Sequence, residues 1–192
     1  MVFMACREEV VPSYLEGIQF CDAAYKKLEE ENRQERTIIL RRPSCLEGFQ
    51  LPEFKALTYS GDSLHSESLM GKPSVVNLWF VGCPPCEAEV PGLNSLAEKY
   101  QDKVNFVAIG RNNPKYLVEF LEENKWGFVH INDYNETLIL DDFQFSWGYP
   151  TTFIADEKGI IRKAFSGGRT DSTAYDHIIE QIEPTLVSLL GE

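Results

Sequence analysis

Residues 74–86 have the sequence SVVNLWFVGCPPC, and they say more about this chain than any other stretch. The apolar run 74–81 is typical of a buried β-strand, and the pattern over 87–100 predicts a helix. Between them lies Cys83-Pro84-Pro85-Cys86. Two thiols at this spacing, at a strand-to-helix turn, can close a reversible disulfide. The sequence therefore predicts redox chemistry as well as a fold.

The two cysteines are expected to have different roles. Cys83 is predicted to be the N-cap residue and Pro84 the first helical residue, where a missing N–H costs nothing. Unpaired backbone N–H groups and the helix dipole stabilise a thiolate there. Cys86 lies one turn further into the helix and is expected to be more buried. Cys83 is therefore the candidate attacking thiol, and Cys86 the candidate resolving thiol.

The neighbours of Cys83 are expected to keep the pKa of its thiol higher than it would be with a non-proline residue at position 84. Neither Pro84 nor Pro85 has an N–H to donate to the Cys83 sulfur. The negative charges of Glu87 and Glu89 also disfavour a thiolate nearby. Cys83 is thus predicted to be less acidic than it would be with a non-proline residue at position 84.

A zinc knuckle is the competing interpretation of a C-x-x-C pair. Structural zinc sites take four Cys or His ligands, usually in two pairs. The other cysteines stand alone, and the three histidines show no ligand spacing: Cys6, Cys21, Cys45, His65, His130 and His177. No metal site and no cofactor is therefore predicted.

Composition limits the classes of partner. The chain has 192 residues, 43% of them apolar, with a formal net charge of −12. Nucleic acid and anionic membranes attract clustered positive charge, so neither is predicted as a partner. No apolar run is long enough to span a bilayer. Five cysteines is an odd number and does not indicate a disulfide framework.

The first residues, Met1-Val2-Phe3-Met4-Ala5-Cys6, form a short apolar segment that ends in Ala-Cys. A secretory signal needs an apolar region of about 7–15 residues, which this segment lacks. It resembles the end of a bacterial lipoprotein signal, in which Cys6 would carry the lipid anchor. An ordinary exposed cysteine is an equally good interpretation.

Residues 1–46 are predicted to be an N-terminal extension, and 47–192 the main domain. Ser13 is the expected cap of a helix that ends near Glu31, and 37–40 is a candidate strand. The apolar side of the helix is predicted to consist of Tyr14, Leu15, Ile18, Cys21, Tyr25 and Leu28. Cys21 is most simply a core residue and Cys45 a loop residue; a bridge between them is possible, but no feature of the sequence supports it.

The main domain alternates strands and helices. Strands are expected at 54–57, 64–68, 74–81, 104–109, 129–131, 151–155 and 160–165. A helix is expected at 87–100, and a second helix is expected to begin at Pro114 with Asn113 as its cap. The last helix is expected to begin at residue 170 or 171, and Pro184 is expected to break or restart it. This order predicts an α/β fold with a central mixed sheet and helices on both faces.

The ordered motifs resemble the thioredoxin fold, and more narrowly its extracytoplasmic TlpA-like and ResA-like branch, related to AhpC/TSA proteins. Residues 51–54 resemble the opening strand and 71–80 the first core strand of this branch. Residues 83–91 resemble the active-site turn and its helix, which Pro91 would kink. Residues 149–156 resemble the cis-proline loop. Because several motifs occur in order, the match over about 48–190 is far more specific than a lone C-x-x-C.

The resemblance implies that Pro150 is cis and packs beside the disulfide, and that Tyr149 pairs with an extended partner chain. An ordinary turn proline is the alternative. Trp147 is expected to cover the groove or to lie in the core. The substrate groove would consist of residues on both sides of the disulfide: Gly82, Pro84, Pro85, Trp147, Tyr149 and Thr151.

Three positions depart from the family pattern. Asn77 stands where thioredoxins have a buried acid, and an amide cannot accept a proton from Cys86. Gly82 replaces a common tryptophan, which would widen the groove. Glu87 stands where a basic residue is common. Asn77, Trp79 and Glu87 are therefore expected to support the site from behind and beside the cysteines.

The sequence thus predicts a thiol-disulfide oxidoreductase that reduces or exchanges disulfides of extracytoplasmic proteins through Cys83, Cys86 and Pro150. Its expected partners are protein thiols and disulfides and a separate thiol protein that donates electrons. The expected location is the periplasm or cell envelope. A thioredoxin-like binding module with little turnover is the alternative, because Gly82 and Glu87 alter the groove.

Overall fold

A computed structural model describes residues 10–33 and 40–192 of the chain. The expectations for Cys6, and for a strand at 37–40 except its last residue, lie outside these ranges. Within the described residues no helix combines the length and the apolar character needed to cross a bilayer.

Four α-helices and seven β-strands make up the described chain. The helices are α1 (Tyr14–Glu31), α2 (Pro84–Tyr100), α3 (Pro114–Glu123) and α4 (Ala174–Leu190). The strands are β1 (Lys55–Leu57), β2 (Ser63–His65), β3 (Ser74–Trp79), β4 (Asn105–Gly110), β5 (Val129–Asn132), β6 (Thr151–Ala155) and β7 (Ile161–Ser166). Short 3₁₀ turns cover Pro43–Leu46 and Ser66–Leu69, and a π-helical turn covers Leu138–Asp142.

The central sheet has five strands in the order β5-β4-β3-β6-β7. β3 runs parallel to β4, and β4 runs parallel to β5. β6 is antiparallel to both β3 and β7. β3 is buried along its whole length, as expected for a central strand that is covered on both faces. The predicted mixed α/β sheet is confirmed.

Alternate residues of β3 point to two separate cores, because side chains alternate across a strand. Val76 and Leu78 belong to the core that α1 covers. Val75 and Trp79 belong to the core on the other face, which includes both active-site cysteines and apolar residues of α2 and α4. Helices therefore cover both faces, and the cysteines lie over the α2 face.

Helix α1 begins and ends as predicted. The Ser13 side chain accepts a hydrogen bond from the Glu16 N–H, and the Glu16 carboxylate accepts from the Ser13 N–H, which completes a capping box. The prediction for Leu15 and Leu28 is wrong, because both are exposed. Gly17 is buried instead, since a Cβ there would lie 2.8 Å from the ring of Phe49.

Other expectations about the elements are corrected by the structure. Helix α4 continues through Pro184, and the buried residues Ile182 and Leu186 on either side anchor it to the core. Residues 51–54 precede β1 and are not a strand. β3 ends at Trp79 rather than at residue 81, because the chain turns there toward the active-site helix. The division of the chain near residue 46 stays a prediction.

Candidate active site

The two cysteines close a disulfide at the start of α2. The Cα atoms of Cys83 and Cys86 are 5.3 Å apart. Cys83 is the N-cap residue, and its carbonyl accepts a hydrogen bond from the Glu87 N–H at 3.0 Å. The Cys83 side chain makes no capping hydrogen bond. This agrees with the two prolines that follow, because neither has an N–H to donate.

Both cysteines are buried to a similar extent. The exposed fraction is 3% for Cys83 and 1% for Cys86, so the difference between them is smaller than the sequence suggests. Their neighbours Gly82 and Pro84 are exposed. Gly82 and Pro84 are therefore the exposed residues next to the disulfide.

Gly82 and Glu87 define the turn in front of the helix. Gly82 has φ +87°, a left-handed conformation that a tryptophan would adopt only with strain. Its N–H donates a hydrogen bond to Oε1 of Glu87 at 2.6 Å. Glu87 therefore acts as a local acceptor that holds the turn beside Cys83, in addition to its charge.

The peptide bond between Tyr149 and Pro150 is cis, as the resemblance implied. The Gly167 N–H donates to the Pro150 carbonyl at 2.8 Å, and the Thr151 hydroxyl donates to the Gly148 carbonyl at 2.8 Å. Tyr149 packs against the core that contains Cys83 and Cys86. The structure thus brings the cis-proline loop to the same side of the molecule as the disulfide.

Two residues after β4 connect the cysteine turn to the cis-proline loop. The Arg111 guanidinium carbon lies 4.8 Å from the ring centre of Phe80 and 5.1 Å from that of Tyr149. These two rings meet edge to face at 5.2 Å. The Asn112 side chain accepts a hydrogen bond from the Val81 N–H at 2.6 Å. Sequence reasoning missed both residues, because only the tertiary fold brings 111–112 between the two loops.

Burial raises the pKa of Tyr149 to about 12. Its phenol is therefore protonated at neutral pH and can donate a hydrogen bond to a bound chain. Arg111 opposes part of this shift by its positive charge.

The sequence predicted Glu89 only as a negative charge near Cys83, and the structure shows that this side chain is buried. It is 1% exposed, and neither carboxyl oxygen has a hydrogen-bond partner. A Cβ added to Gly168 would lie 2.2 Å from Glu89 Oε1, so the carboxyl lies directly under the loop next to the cis-proline. Burial raises the pKa of Glu89 to about 8. Glu89 is therefore neutral through most of the range in which it was expected to repel the Cys83 thiolate.

Asn77 and Trp79 lie on the buried side of the site. Asn77 is paired with Thr152 across the sheet, and its side-chain NH₂ donates to the Thr152 hydroxyl at 3.0 Å. Its amide oxygen has no partner. Trp79 packs against Trp126, with ring centres 4.6 Å apart. Both side chains lie on the face of β3 whose core contains the cysteines, and their supporting role stays a prediction.

Trp147 belongs to the core rather than to the groove. It is 7% exposed and packs edge to face against Phe153, with ring centres 6.1 Å apart. Phe153 lies in the core on the α1 face, away from the cysteines. The placement of Trp147 in the substrate groove is therefore wrong, and the core alternative is correct.

A second disulfide joins Cys21 of α1 to Cys45, with Cα atoms 5.7 Å apart. The sequence left this bridge possible but unsupported, because no local pattern shows which distant cysteines the fold brings together. The bridge ties α1 to the turn Pro43–Leu46, next to the edge of the sheet. Among the described residues, no group of three or more His, Cys, Asp or Glu side chains is placed to bind a metal.

Comparison with known proteins adds to this geometry. The model of the family described as AhpC/TSA matches residues 48–164. The thioredoxin-like protein YneN of Bacillus subtilis is 32% identical over 65% of this chain and 74% of its own length. The thiol-disulfide oxidoreductase ResA of Halalkalibacterium halodurans is 30% identical over 71% of this chain and 77% of its own length.

A solved structure is similar over most of its length. It is a secreted disulfide oxidoreductase of Mycobacterium tuberculosis, described as homologous to DsbE of E. coli. It has a TM-score of 0.58 and 26% identity, and the match covers 68% of this chain and 95% of that one. The likeness confirms the predicted thioredoxin-like fold.

Proposed function

Because the chain belongs to the AhpC/TSA family, we propose that it is a thiol-disulfide oxidoreductase that acts on disulfides of other proteins through Cys83 and Cys86. One observation carries the proposal. A C-x-x-C disulfide lies at a helix N-terminus, and a cis-proline loop packs against the same core. ResA, a relative of this chain, is itself named a thiol-disulfide oxidoreductase.

The reaction starts from the reduced pair. The Cys83 thiolate attacks one sulfur of the client disulfide, which breaks that bond and releases the other client sulfur as a thiolate. The Cys86 thiolate then attacks the Cys83 sulfur and releases the second client thiolate. Two electrons pass to the client, and the chain is left with the Cys83–Cys86 disulfide seen in the structure. A separate thiol protein must restore the dithiol.

The resolving step needs a proton acceptor for Cys86. Asn77 cannot accept a proton, because an amide has no basic site at neutral pH. Glu89 lies three residues after Cys86 on the same helix, and side chains at this spacing are neighbours. Its pKa of about 8 is close to that of a free thiol, which favours transfer in both directions. We assign Glu89 the role of proton acceptor and donor for Cys86.

The direct test is the reduction of insulin with dithiothreitol as electron donor. Replacement of Cys83 by serine removes the attacking sulfur, so the rate should fall to that of dithiothreitol alone. Cys21→Ser is the matched control, because it changes a cysteine of the other disulfide. Equal rates for Cys83→Ser and the unmodified chain would contradict the proposal.

We also propose that the chain works outside the cytoplasm. Disulfides away from a catalytic site persist in oxidising compartments, and Cys21–Cys45 is such a bond. The similar Mycobacterium protein is described as secreted. A lipid on Cys6 would hold the chain at the envelope, and mass spectrometry of the native protein would detect the added mass.

A binding module with little turnover is the second candidate, and the burial of both cysteines favours it. The two functions differ in what Cys86→Ser captures. An oxidoreductase leaves a mixed disulfide between Cys83 and the client, which dithiothreitol releases. A binding module retains its partner without either sulfur.

A further inference from the structure

A groove separate from the disulfide runs between the end of the N-terminal extension and the edge of the sheet. Its volume is about 470 Å³. One wall is the segment 40–44, and the other is formed by residue 148 and the end of β7. The lining residues are Leu40, Arg41, Arg42, Pro43, Ser44, Gly148, Ala164, Phe165 and Ser166.

The groove begins where β7 is no longer bonded to residues 47–48. β7 is the last strand of the sheet, and an edge strand presents backbone groups that another extended chain can pair with. Earlier in β7 these groups are occupied, since the Ile161 carbonyl accepts from Gly48 and the Ala164 N–H donates to Glu47 Oε1. Among the residues that the structure describes, none pairs with this side of β7 beyond Ala164, and the groove begins there.

The charge of the groove is opposite to that of the molecule as a whole. The chain has a net charge of −12, yet the lining contains two arginines and no acidic residue. Arg41 is paired with Asp22 at 2.7 Å. Arg42 is exposed and forms no ion pair within the part of the chain that the structure describes. Its charge is therefore available to a bound acidic side chain.

The arginine wall is held in place by two links to α1. The Tyr25 hydroxyl accepts from the Arg42 N–H at 2.5 Å and donates to the Arg42 carbonyl at 2.8 Å. The Cys21–Cys45 disulfide fixes the same turn to α1. A wall fixed in this way loses little conformational freedom when a ligand binds, which favours affinity.

The groove lies next to the cis-proline loop. Ser166, at its end, pairs with Thr151, and the next residue, Gly167, donates to the Pro150 carbonyl. Gly148, on its other side, immediately precedes Tyr149. A client chain bound at the cis-proline loop is therefore next to the groove.

We propose that this groove binds an extended segment of the client polypeptide, which flanks the reactive disulfide, pairs with β7 beyond Ala164 and carries an acidic side chain opposite Arg42. The proposal rests on the proposed function for the identity of the client. Strand addition would supply the backbone hydrogen bonds to the client, and Arg42 would favour clients with acidic side chains.

Direct binding tests this without turnover. In a chain with Cys83→Ser and Cys86→Ser, fluorescence anisotropy measures the Kd of a short labelled β-forming peptide that carries two aspartates. The same peptide with two lysines is the comparison. Arg42→Glu should weaken binding of the aspartate peptide about five- to tenfold, because an attraction becomes a repulsion. The effect should shrink at high salt.

Arg33→Glu is the matched control. It changes the charge by the same amount as Arg42→Glu, and Arg33 is exposed but does not line the groove. Gly148→Leu is the second variant: a Cβ at Gly148 meets nothing within 4 Å, so the new side chain enters the groove without disturbing the fold. It should weaken binding of both peptides. Equal effects of Arg42→Glu and Arg33→Glu, or unchanged binding to Gly148→Leu, would overturn the proposal. Insulin reduction by the intact chain tests the proposed function separately, because these binding measurements use no redox-active cysteine.

Discussion

Replacing Glu89 with glutamine tests whether the carboxyl beneath the active site is neutral in the folded protein. A carboxyl whose pKa rises on folding keeps its proton where the unfolded chain has lost it. Folding therefore becomes less favourable as the pH rises from the ordinary value of 4.5 to about 8. Glutamine has the shape of the protonated acid but does not titrate, so the variant is free of this loss.

The size of the effect follows from the shift. A rise from 4.5 to about 8 corresponds to a loss of about 5 kcal/mol above pH 8, and about 3 kcal/mol at pH 7. Desolvation also lowers the pKa of the buried His130 to about 4. The contribution of His130 to stability is lost as the pH falls from 6.5 to about 4, which is opposite to the direction for Glu89. This contribution is the same in the unmodified chain and in Glu89→Gln.

Urea unfolding of the oxidised proteins between pH 5 and pH 9 measures the difference directly, and His130 cancels in the comparison. The stability advantage of Glu89→Gln should grow with pH by several kcal/mol. A difference that stays constant within about 0.5 kcal/mol over this range would refute a raised pKa for Glu89. If Glu89 also exchanges a proton with Cys86, the same variant should slow insulin reduction and remove its dependence on a group with a pKa near 8.

Three other perturbations test separate parts of the structure. Pro84→Gly restores a backbone N–H near the sulfur, so the Cys83 pKa measured from alkylation rates should fall; an unchanged or higher value would contradict the role of the proline. Arg111→Ala removes the cation between two rings, which should raise KM for insulin about fivefold with little change in kcat, and Arg111→Lys should recover part of the loss. Loss of the Cys21–Cys45 bridge in the Cys21→Ser, Cys45→Ser double variant should lower the free energy of unfolding by about 3 kcal/mol, as the 24-residue separation implies. A chain with Cys83→Ser and Cys86→Ser, in which Cys21–Cys45 is the only described disulfide, should lose the same free energy of unfolding when it is reduced; no loss on reduction would contradict a role of the bridge.

Local patterns predicted most of the elements that hold the site. The buried run before Gly82 predicts β3, and Ser13 predicts the start of α1, because strand burial and capping depend on residues close in sequence. The prediction that Pro184 breaks or restarts α4 is wrong because it rests on a local rule alone. A local rule ends the helix there, but packing of the flanking residues against the core outweighs one lost hydrogen bond.

Residues that act through distant neighbours were not predicted. Arg111 and Asn112 have no motif of their own, and they became visible only when the fold placed them against Phe80 and Val81. Trp147 could be assigned to the groove or to the core from the sequence, and only the packing against Phe153 decided between them.

The sequence by itself determined the chemistry of this protein: a thiol pair, its position at a helix start, and the prolines that withhold hydrogen bonds from Cys83. These features depend only on residues that are adjacent in sequence, so they can be recognised without the fold. Only the tertiary structure decided the state of Glu89, the pairing of Cys21 with Cys45, and the position of Arg42 beside β7, the last strand of the described sheet. Burial, cross-linking and an exposed sheet edge depend on what the rest of the chain places around a residue, and that information is spread over the whole fold.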